Sequence, residues 1–306
     1  MRTAWLYAGQ GSQTPGMGRD FYDEFPEVRG IFDSGAAGFD VRGTCFDAPA
    51  EVLSQTRYTQ PCMAAFAAAV TLILRNRGLA PDCLAGLSLG EYSALHAAGV
   101  FDADTLLDLL AFRGIAMEES SAGLDTRMSA VLGLSETLVR QAVAESAGEG
   151  IVSCTNFNCP GQIVIGGETR AVAAAETRCL ALGAKRCLPV NTSGPFHTAL
   201  MRPASMRLRG KLDETTLAPQ KIPVIFNVTA RAALDINVRE LLCRQVKSPV
   251  MFEQTIRELA SRGVDTVIEI GPGRALSGFV KKTAPEIRTV AIEKTGDLKK
   301  LEELWN

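Results

Sequence analysis

Three side chains of this 306-residue sequence have the types and settings for nucleophilic chemistry. Ser88 stands in Gly86-Leu87-Ser88-Leu89-Gly90, a G-x-S-x-G pattern. Such a pattern serves a sharp strand-to-helix turn: small residues on either side let strand and helix approach, and the serine is held at the bend. At a helix start it also sits beside free N–H groups and positive dipole charge, which favour a developing oxyanion. A Gly-rich structural turn is the competing reading of so short a pattern. A nucleophilic serine needs a base, and the chain has only two histidines, His96 and His197. His96 follows on the helix that leaves the turn, roughly 12 Å along its axis and pointing away from the bend. His197 lies in Ser-Gly-Pro-Phe-His, where Gly194 and Pro195 make a loop free to face a cleft. Elimination between two histidines favours His197 as the base.

Arg113 interrupts an apolar stretch, LLDLLAFRGIAM. It reads either as a snorkelling helix arginine or as a fixed guanidinium in a cleft, able to bind a carboxylate bidentately. The other Gly-rich strand end, Gly9-Gln10-Gly11-Ser12-Gln13, lacks a Walker lysine and breaks G-x-G-x-x-G at Thr14. A backbone donor loop for an oxyanion suits it better than a nucleotide cradle, because such a donor comes from a neighbouring strand end. With two histidines and eight cysteines, none in CxxC spacing, no metal site is expected. The cysteines sit mostly in apolar runs and read as small, reduced core residues.

The elements that must position these groups follow from punctuation and periodicity. The length suggests about two domains. A composition of 46% hydrophobic and 22% charged residues allows a sizeable core, and a net charge of −2 gives no nucleic-acid surface. The N-terminal apolar run is too short for a signal peptide, and Pro61–Leu74 is too short to span a membrane, so a cytoplasmic chain is expected. Ala4–Ala8 is read as a strand, followed by helices near Gly18–Phe25 and from about Gln60 to Arg77. Strand Cys83–Leu87, helix Glu91–Ala98 and a helix capped by Asp102 or Asp104 continue an alternation that implies a parallel sheet covered by helices.

The middle changes character. Strand Met128–Leu134, helix Ser135–Ala147, strands Ile151–Asn156 and Gln162–Gly166 around a Pro160-Gly161 turn, helix Glu168–Leu182 and strand Lys185–Val190 make βαββαβ, the ferredoxin-like order. Parallel α/β features then resume: strands Pro223–Val228, Val264–Ile270 and Arg288–Ile292, helices near Ala199–Leu212 and Pro249–Arg262, and a final amphipathic helix, Asp297–Trp305. The expected architecture is an α/β catalytic domain, 1–125 with 195–306, interrupted by a ferredoxin-like insert, 126–194.

Seven motifs occur in order: GQGSQ at 9–13, GLSLGEYSAL at 86–95, RGIAM at 113–117, NFNCPGQIVIGG at 156–167, GPFH at 194–197, QVKSPVMF at 245–252 and IEIGPGRAL at 268–276. Together they resemble the malonyl-CoA:acyl carrier protein transacylases, which are similar to the acyltransferase domains of polyketide synthases. The resemblance spans nearly the whole chain. It implies an α/β-hydrolase-like large domain with the ferredoxin-like insert. It implies Ser88 as the acyl-accepting nucleophile, His197 as base, the N–H groups of Gln10 and Leu89 as oxyanion hole, and the Gln245 carbonyl as orienter of His197, so that no Asp is needed. Arg113 would pair with the free malonyl carboxylate, with Met117, Asn158 and Phe196 in the substrate site. Phe196 matches the malonyl-type pattern and not the bulkier methylmalonyl-type one. Leu87 departs from the His that many members carry there, which puts only an auxiliary role of that side chain in doubt.

The activity implied is ping-pong transfer of a malonyl group from malonyl-CoA, through malonyl-Ser88, to the phosphopantetheine thiol of an acyl carrier protein, supplying fatty acid synthesis. A polyketide carrier is the alternative partner. No cofactor, metal, nucleic acid or membrane is implied, and the family suggests a monomer. Carrier proteins are acidic, so Lys185, Arg186, Arg274, Lys281 and Lys282 are candidate docking residues. A serine esterase or thioesterase is the competing enzyme class, and a non-catalytic carrier-binding module the competing non-enzyme; Arg113 argues against the first, which has no use for a carboxylate clamp.

Overall fold

The computed structural model describes residues 1–232 and 237–301. Its strands in chain order are β1 Thr3–Tyr7, β2 Cys83–Gly86, β3 Thr126–Leu132, β4 Val152–Cys159, β5 Gln162–Glu168, β6 Arg186–Val190, β7 Val224–Ile225, β8 Thr266–Ile270 and β9 Arg288–Ile292. β1 is buried at every position, as a strand with helices on both faces must be. It is the centre of an all-parallel sheet of order β7–β2–β1–β8–β9. One face packs under the long helices Thr56–Asn76 and Ala103–Ser121, with Trp5, Phe66, Leu106 and Leu110 in the core. The other packs under helices Phe252–Ser261 and Ala275–Thr283, with Leu6, Ile225, Ile256 and Val280.

β3 to β6 form the second sheet, antiparallel in the order β4–β5–β3–β6, which is the ferredoxin-like arrangement. Helices Glu136–Glu145 and Thr169–Ala181 cover one face, Val139 and Val172 packing over Val131, Phe157 and Ile165. Residues of the opposite face, Met128 and Val164, join the core of the parallel part. Period-2 alternation thus divides each strand between a private core and the cleft between the sheets. β4 is stitched to the large part by Phe157 N–H to Val250 O, 2.9 Å, and Val250 N–H to Thr155 O, 2.8 Å.

Several expected bounds shift for physical reasons. The long helix starts at Thr56, not Gln60; its first turn is polar, yet Thr56, Thr59 and Gln60 are buried because they face the site. Gly114 lets the next helix approach it, since a Cβ there would lie 2.7 Å from Thr56 O. Asp102, not Asp104, is the cap, accepting from Thr105 N–H at 2.8 Å. The strand expected at Pro223–Val228 pairs only over Val224–Ile225. The helix expected at Ala199–Leu212 opens with a 3₁₀ turn, Ala199–Met201, and becomes α-helical from Arg202 to Glu214. A 3₁₀ turn, Thr295–Leu298, opens the expected C-terminal helix, whose remainder from residue 302 lies outside the described residues. Helices Val41–Phe46, Val238–Gln245 and Ala275–Thr283 were not anticipated.

All eight cysteines are unpaired, seven of them buried. No helix among the described residues is long and apolar enough to cross a membrane. Packing is tight where β2 meets the helix Gly90–Ala97: a Cβ on Gly86 would lie 2.0 Å from the Gly90 carbonyl carbon, and one on Gly90 2.2 Å from Tyr7 O. We expect Gly90→Ala to lower unfolding free energy by about 1–3 kcal/mol, read by urea denaturation; an unchanged midpoint would mean that the strand–helix contact is looser than described.

Candidate active site

The bend between β2 and the helix Gly90–Ala97 holds Ser88 at φ 55°, a left-handed conformation costing a non-glycine residue about 1–3 kcal/mol. Its backbone is pinned from both sides. The N–H donates to Asn227 Oδ1 at 2.8 Å, and the carbonyl accepts from Gln245 Nε2 at 2.9 Å. Leu89 follows at the helix N-terminus, where N–H groups lack intrahelical acceptors.

His197 is also left-handed, φ 63°, and 4% exposed. Its Nε2 is 2.8 Å from Ser88 Oγ, and its Nδ1 is 2.8 Å from the Gln245 carbonyl oxygen. That carbonyl can only accept, so Nδ1 carries the proton and Nε2 is the basic atom. Burial, helped by the charge of Arg113, pushes the imidazole down to about 4, so the ring is neutral at pH 7. His96 lies elsewhere, with Nδ1 3.0 Å from Phe101 O.

Arg113 is 1% exposed. It donates to Gln60 Oε1 at 2.8 Å, to Gln245 Oε1 at 3.0 Å and to Ser88 Oγ at 3.2 Å. Its guanidinium lies 5.4 Å from the Tyr92 ring centroid, and its Nε has no hydrogen-bond partner. Among the described residues it forms no ion pair with a carboxylate. A nearby acid, Glu91, is fully buried, and burial pushes it up to about 8 despite the Asn227 N–H and the charge of Arg113. With His197 neutral and Glu91 pushed toward its neutral form, the Arg113 charge is left with little compensation among the described residues.

A cavity of about 140 Å³ opens over Ser88. Gln10, Ser88, Phe196 and His197 come from the parallel part; Met128, Asn158 and Val164 come from the antiparallel sheet. Asn158 is 7% exposed, and its Oδ1 has no partner. The Gln10 side chain donates to Thr56 Oγ1 at 3.0 Å, tying the loop after β1 to the long helix. Neither Arg113 nor Met117 lines this cavity; Met117 is buried, with its sulfur 3.6 Å from Gln60 Nε2. No group of three or more His, Cys, Asp or Glu among the described residues could hold a metal.

The five basic residues are exposed. Arg274 and Lys281 rim a separate groove of about 500 Å³ with Arg288 and Lys300. Lys282 follows at the end of the same helix, exposed like Lys281. The Lys185 stem packs at Gly133, and Arg186 pairs with Leu132 across β3 and β6. Sequence reasoning gave no role to Asn227, Gln60, Glu91 or Tyr92. The last two lie in the quoted Ser88 motif, but nothing in their type signals burial.

The chain matches the acyl transferase domain model over residues 4–300. It is 38% identical over 295 residues to the malonyl CoA-acyl carrier protein transacylase of Bacillus subtilis, covering 95% of this chain and 93% of that one. The crystal structure of the same-named protein from Clostridium perfringens superposes with a TM-score of 0.96 at 38% identity, covering 100% of this chain and 98% of that one. A malonyl-transacylase solved in complex with a type II PKS acyl-carrier protein superposes with a TM-score of 0.96 at 37% identity, covering 99% and 100%. The nucleophile bend, the paired serine and histidine and the two sheets agree with these likenesses: the chain belongs to the malonyl-CoA:acyl carrier protein transacylase family of acyl transferase domains.

Proposed function

We propose that this enzyme transfers malonyl from malonyl-CoA to the phosphopantetheine thiol of an acyl carrier protein, supplying fatty acid synthesis, through a malonyl ester on Ser88. His197 Nε2 takes the Ser88 proton as Oγ attacks the thioester carbonyl. The N–H groups of Leu89 and Gln10 receive the developing oxyanion, each worth about 3 kcal/mol in the transition state. His197 returns the proton to the leaving CoA thiol. The carrier thiol then attacks the malonyl ester by the reverse route, with His197 again moving the proton. The Gln245 carbonyl keeps His197 in the productive tautomer.

The observation that carries this reading is the Arg113 guanidinium, buried without a carboxylate partner among the described residues and 3.2 Å from the nucleophilic oxygen. A malonyl group on Ser88 supplies that carboxylate; an acetyl group leaves a buried charge unpaired. Asn158 and Phe196 line the acyl cavity, while Met117 supports the site through Gln60. The reaction needs no metal or cofactor, because every proton and charge it moves has a named group. A cytoplasmic monomer belongs to the same proposal, by family resemblance. So does the division into a catalytic part, 1–125 with 195–306, and an insert, 126–194, supported by the strand membership of the two sheets. The likeness to a transacylase bound to a PKS carrier makes a polyketide carrier the second candidate acceptor.

Intact-mass analysis after exposure to malonyl-CoA should show a malonyl adduct on wild type and none on Ser88→Ala; rapid hydrolysis of that adduct without carrier protein would instead indicate a thioesterase. Arg113→Ala should shift the donor preference from malonyl- toward acetyl-CoA by about tenfold or more, and an unchanged ratio would sink the clamp. The pH profile of Ser88 acylation provides a third check. A base held near 4 is free above that pH, so the rate should rise with pH around 4 and be flat from 6 to 8; a midpoint near 6.5 would place the base in an ordinary environment. For the docking residues, charge reversal at Arg274 and Lys281 should raise KM for carrier protein without changing KM for malonyl-CoA. Equal effects of reversing Lys185 and Arg186 would widen the footprint to the insert.

A further inference from the structure

The parallel ladder between β2 and β7 is two pairs long, Leu84 with Val224 and Ala85 with Ile225. Beyond Ile225 the chain turns: Thr229 and Ala230 N–H both donate to Phe226 O, at 3.3 and 2.8 Å, and Ala230 itself is left-handed, φ 50°. On the other strand Ser88 leaves extended geometry, so a neighbouring backbone could not follow it. A side chain bridges the gap. Asn227 Nδ2 donates to the Gly86 carbonyl at 2.6 Å, and Asn227 Oδ1 accepts from the Ser88 N–H at 2.8 Å. Only this orientation of the amide satisfies both partners.

Asn227 is itself fixed. It is fully buried, its carbonyl accepts from Met251 N–H at 2.9 Å, and its N–H donates to Glu91 Oε2. Glu91 stands in the first turn of the helix that Ser88 precedes, and its own N–H donates to the Ser88 carbonyl at 3.1 Å. The contacts close a ring: Ser88 to Asn227, Asn227 to Glu91, and Glu91 back to Ser88. No member of that ring except Ser88 lines the acyl cavity.

We propose that Asn227 and Glu91 are positioning residues for the nucleophile, holding the strained Ser88 backbone so that Oγ meets His197 while the Leu89 N–H faces the oxyanion. Asn227 does this by standing in for the missing strand; Glu91 does it by fixing Asn227 to the helix. Glu91 acts as an acceptor through Oε2, and burial pushes its carboxyl toward the neutral form, so a carboxamide oxygen can take its place. This inference rests on Ser88 being the nucleophile.

The test uses two reactions of Ser88: acylation by malonyl-CoA, and sulfonylation by phenylmethylsulfonyl fluoride, which needs the bend but not the malonyl site. Asn227→Leu, which keeps the volume and loses both hydrogen bonds, should slow both reactions about a hundredfold, with KM for malonyl-CoA within about threefold of wild type. Asn227→Asp, which keeps only the acceptor, should fall between the two. Glu91→Ala should lose about tenfold and Glu91→Gln should recover most of it, a rescue that also decides the matter if Asn227→Leu does not fold. Wild-type sulfonylation of Asn227→Leu, a loss confined to KM, or equal loss in Glu91→Ala and Glu91→Gln would overturn the assignment. Slow sulfonylation of the variants alongside a wild type that takes no malonyl group would leave the positioning roles standing and remove the donor assignment instead.

Discussion

A guanidinium buried against the attacking oxygen is the constraint that the rest of the site has to meet. Arg113 cannot shed its charge, and the buried acid beside it, Glu91, is pushed up to about 8. Its positive potential therefore falls on everything around it. It helps to keep His197 neutral, as a base must be before it acts. It also makes the Gln60 and Gln245 side chains necessary: each gives it a carbonyl oxygen, which stabilises a cation without cancelling it. A carboxylate in either place would satisfy Arg113 permanently and leave nothing for a substrate to add.

Gln245 has the most connections in this arrangement. Its backbone carbonyl orients His197, its amide oxygen accepts from Arg113, and its amide nitrogen donates to the Ser88 carbonyl. Base, cation and nucleophile are thus set relative to one another by one residue at the end of a short helix. The second sheet contributes differently. Its strands bring Met128, Asn158 and Val164 over Ser88 and close the cavity from above, while its private core of Val131, Phe157 and Ile165 is independent of the site. The reacting groups come from loops and helices of the parallel part, and the antiparallel sheet supplies one wall of the acyl pocket.

Much of this was legible in the sequence because it was written in punctuation. Glycines at 86 and 90 mark the bend, and the structure shows why neither tolerates a Cβ. The apolar run of β1 and the βαββαβ order of the middle gave the two sheets. The residues that escaped share a cause. Asn227, Gln60 and Glu91 are polar side chains buried by tertiary contacts, and polar residues at the edge of a two-residue strand or in the first turn of a helix look solvated in one dimension. Gln245 was reached only through resemblance, since a carbonyl orienter leaves no trace in side-chain type.

The central claim is that the charge of Arg113 is left open for the substrate. It is tested most directly by a crystal structure of the enzyme carrying a malonyl ester on Ser88. The expected result is the free carboxylate within 3.2 Å of two Arg113 nitrogens, Nε among them, in bidentate geometry. A carboxylate turned into the open cleft, with Arg113 still bonded only to Gln60 and Gln245, would contradict the account.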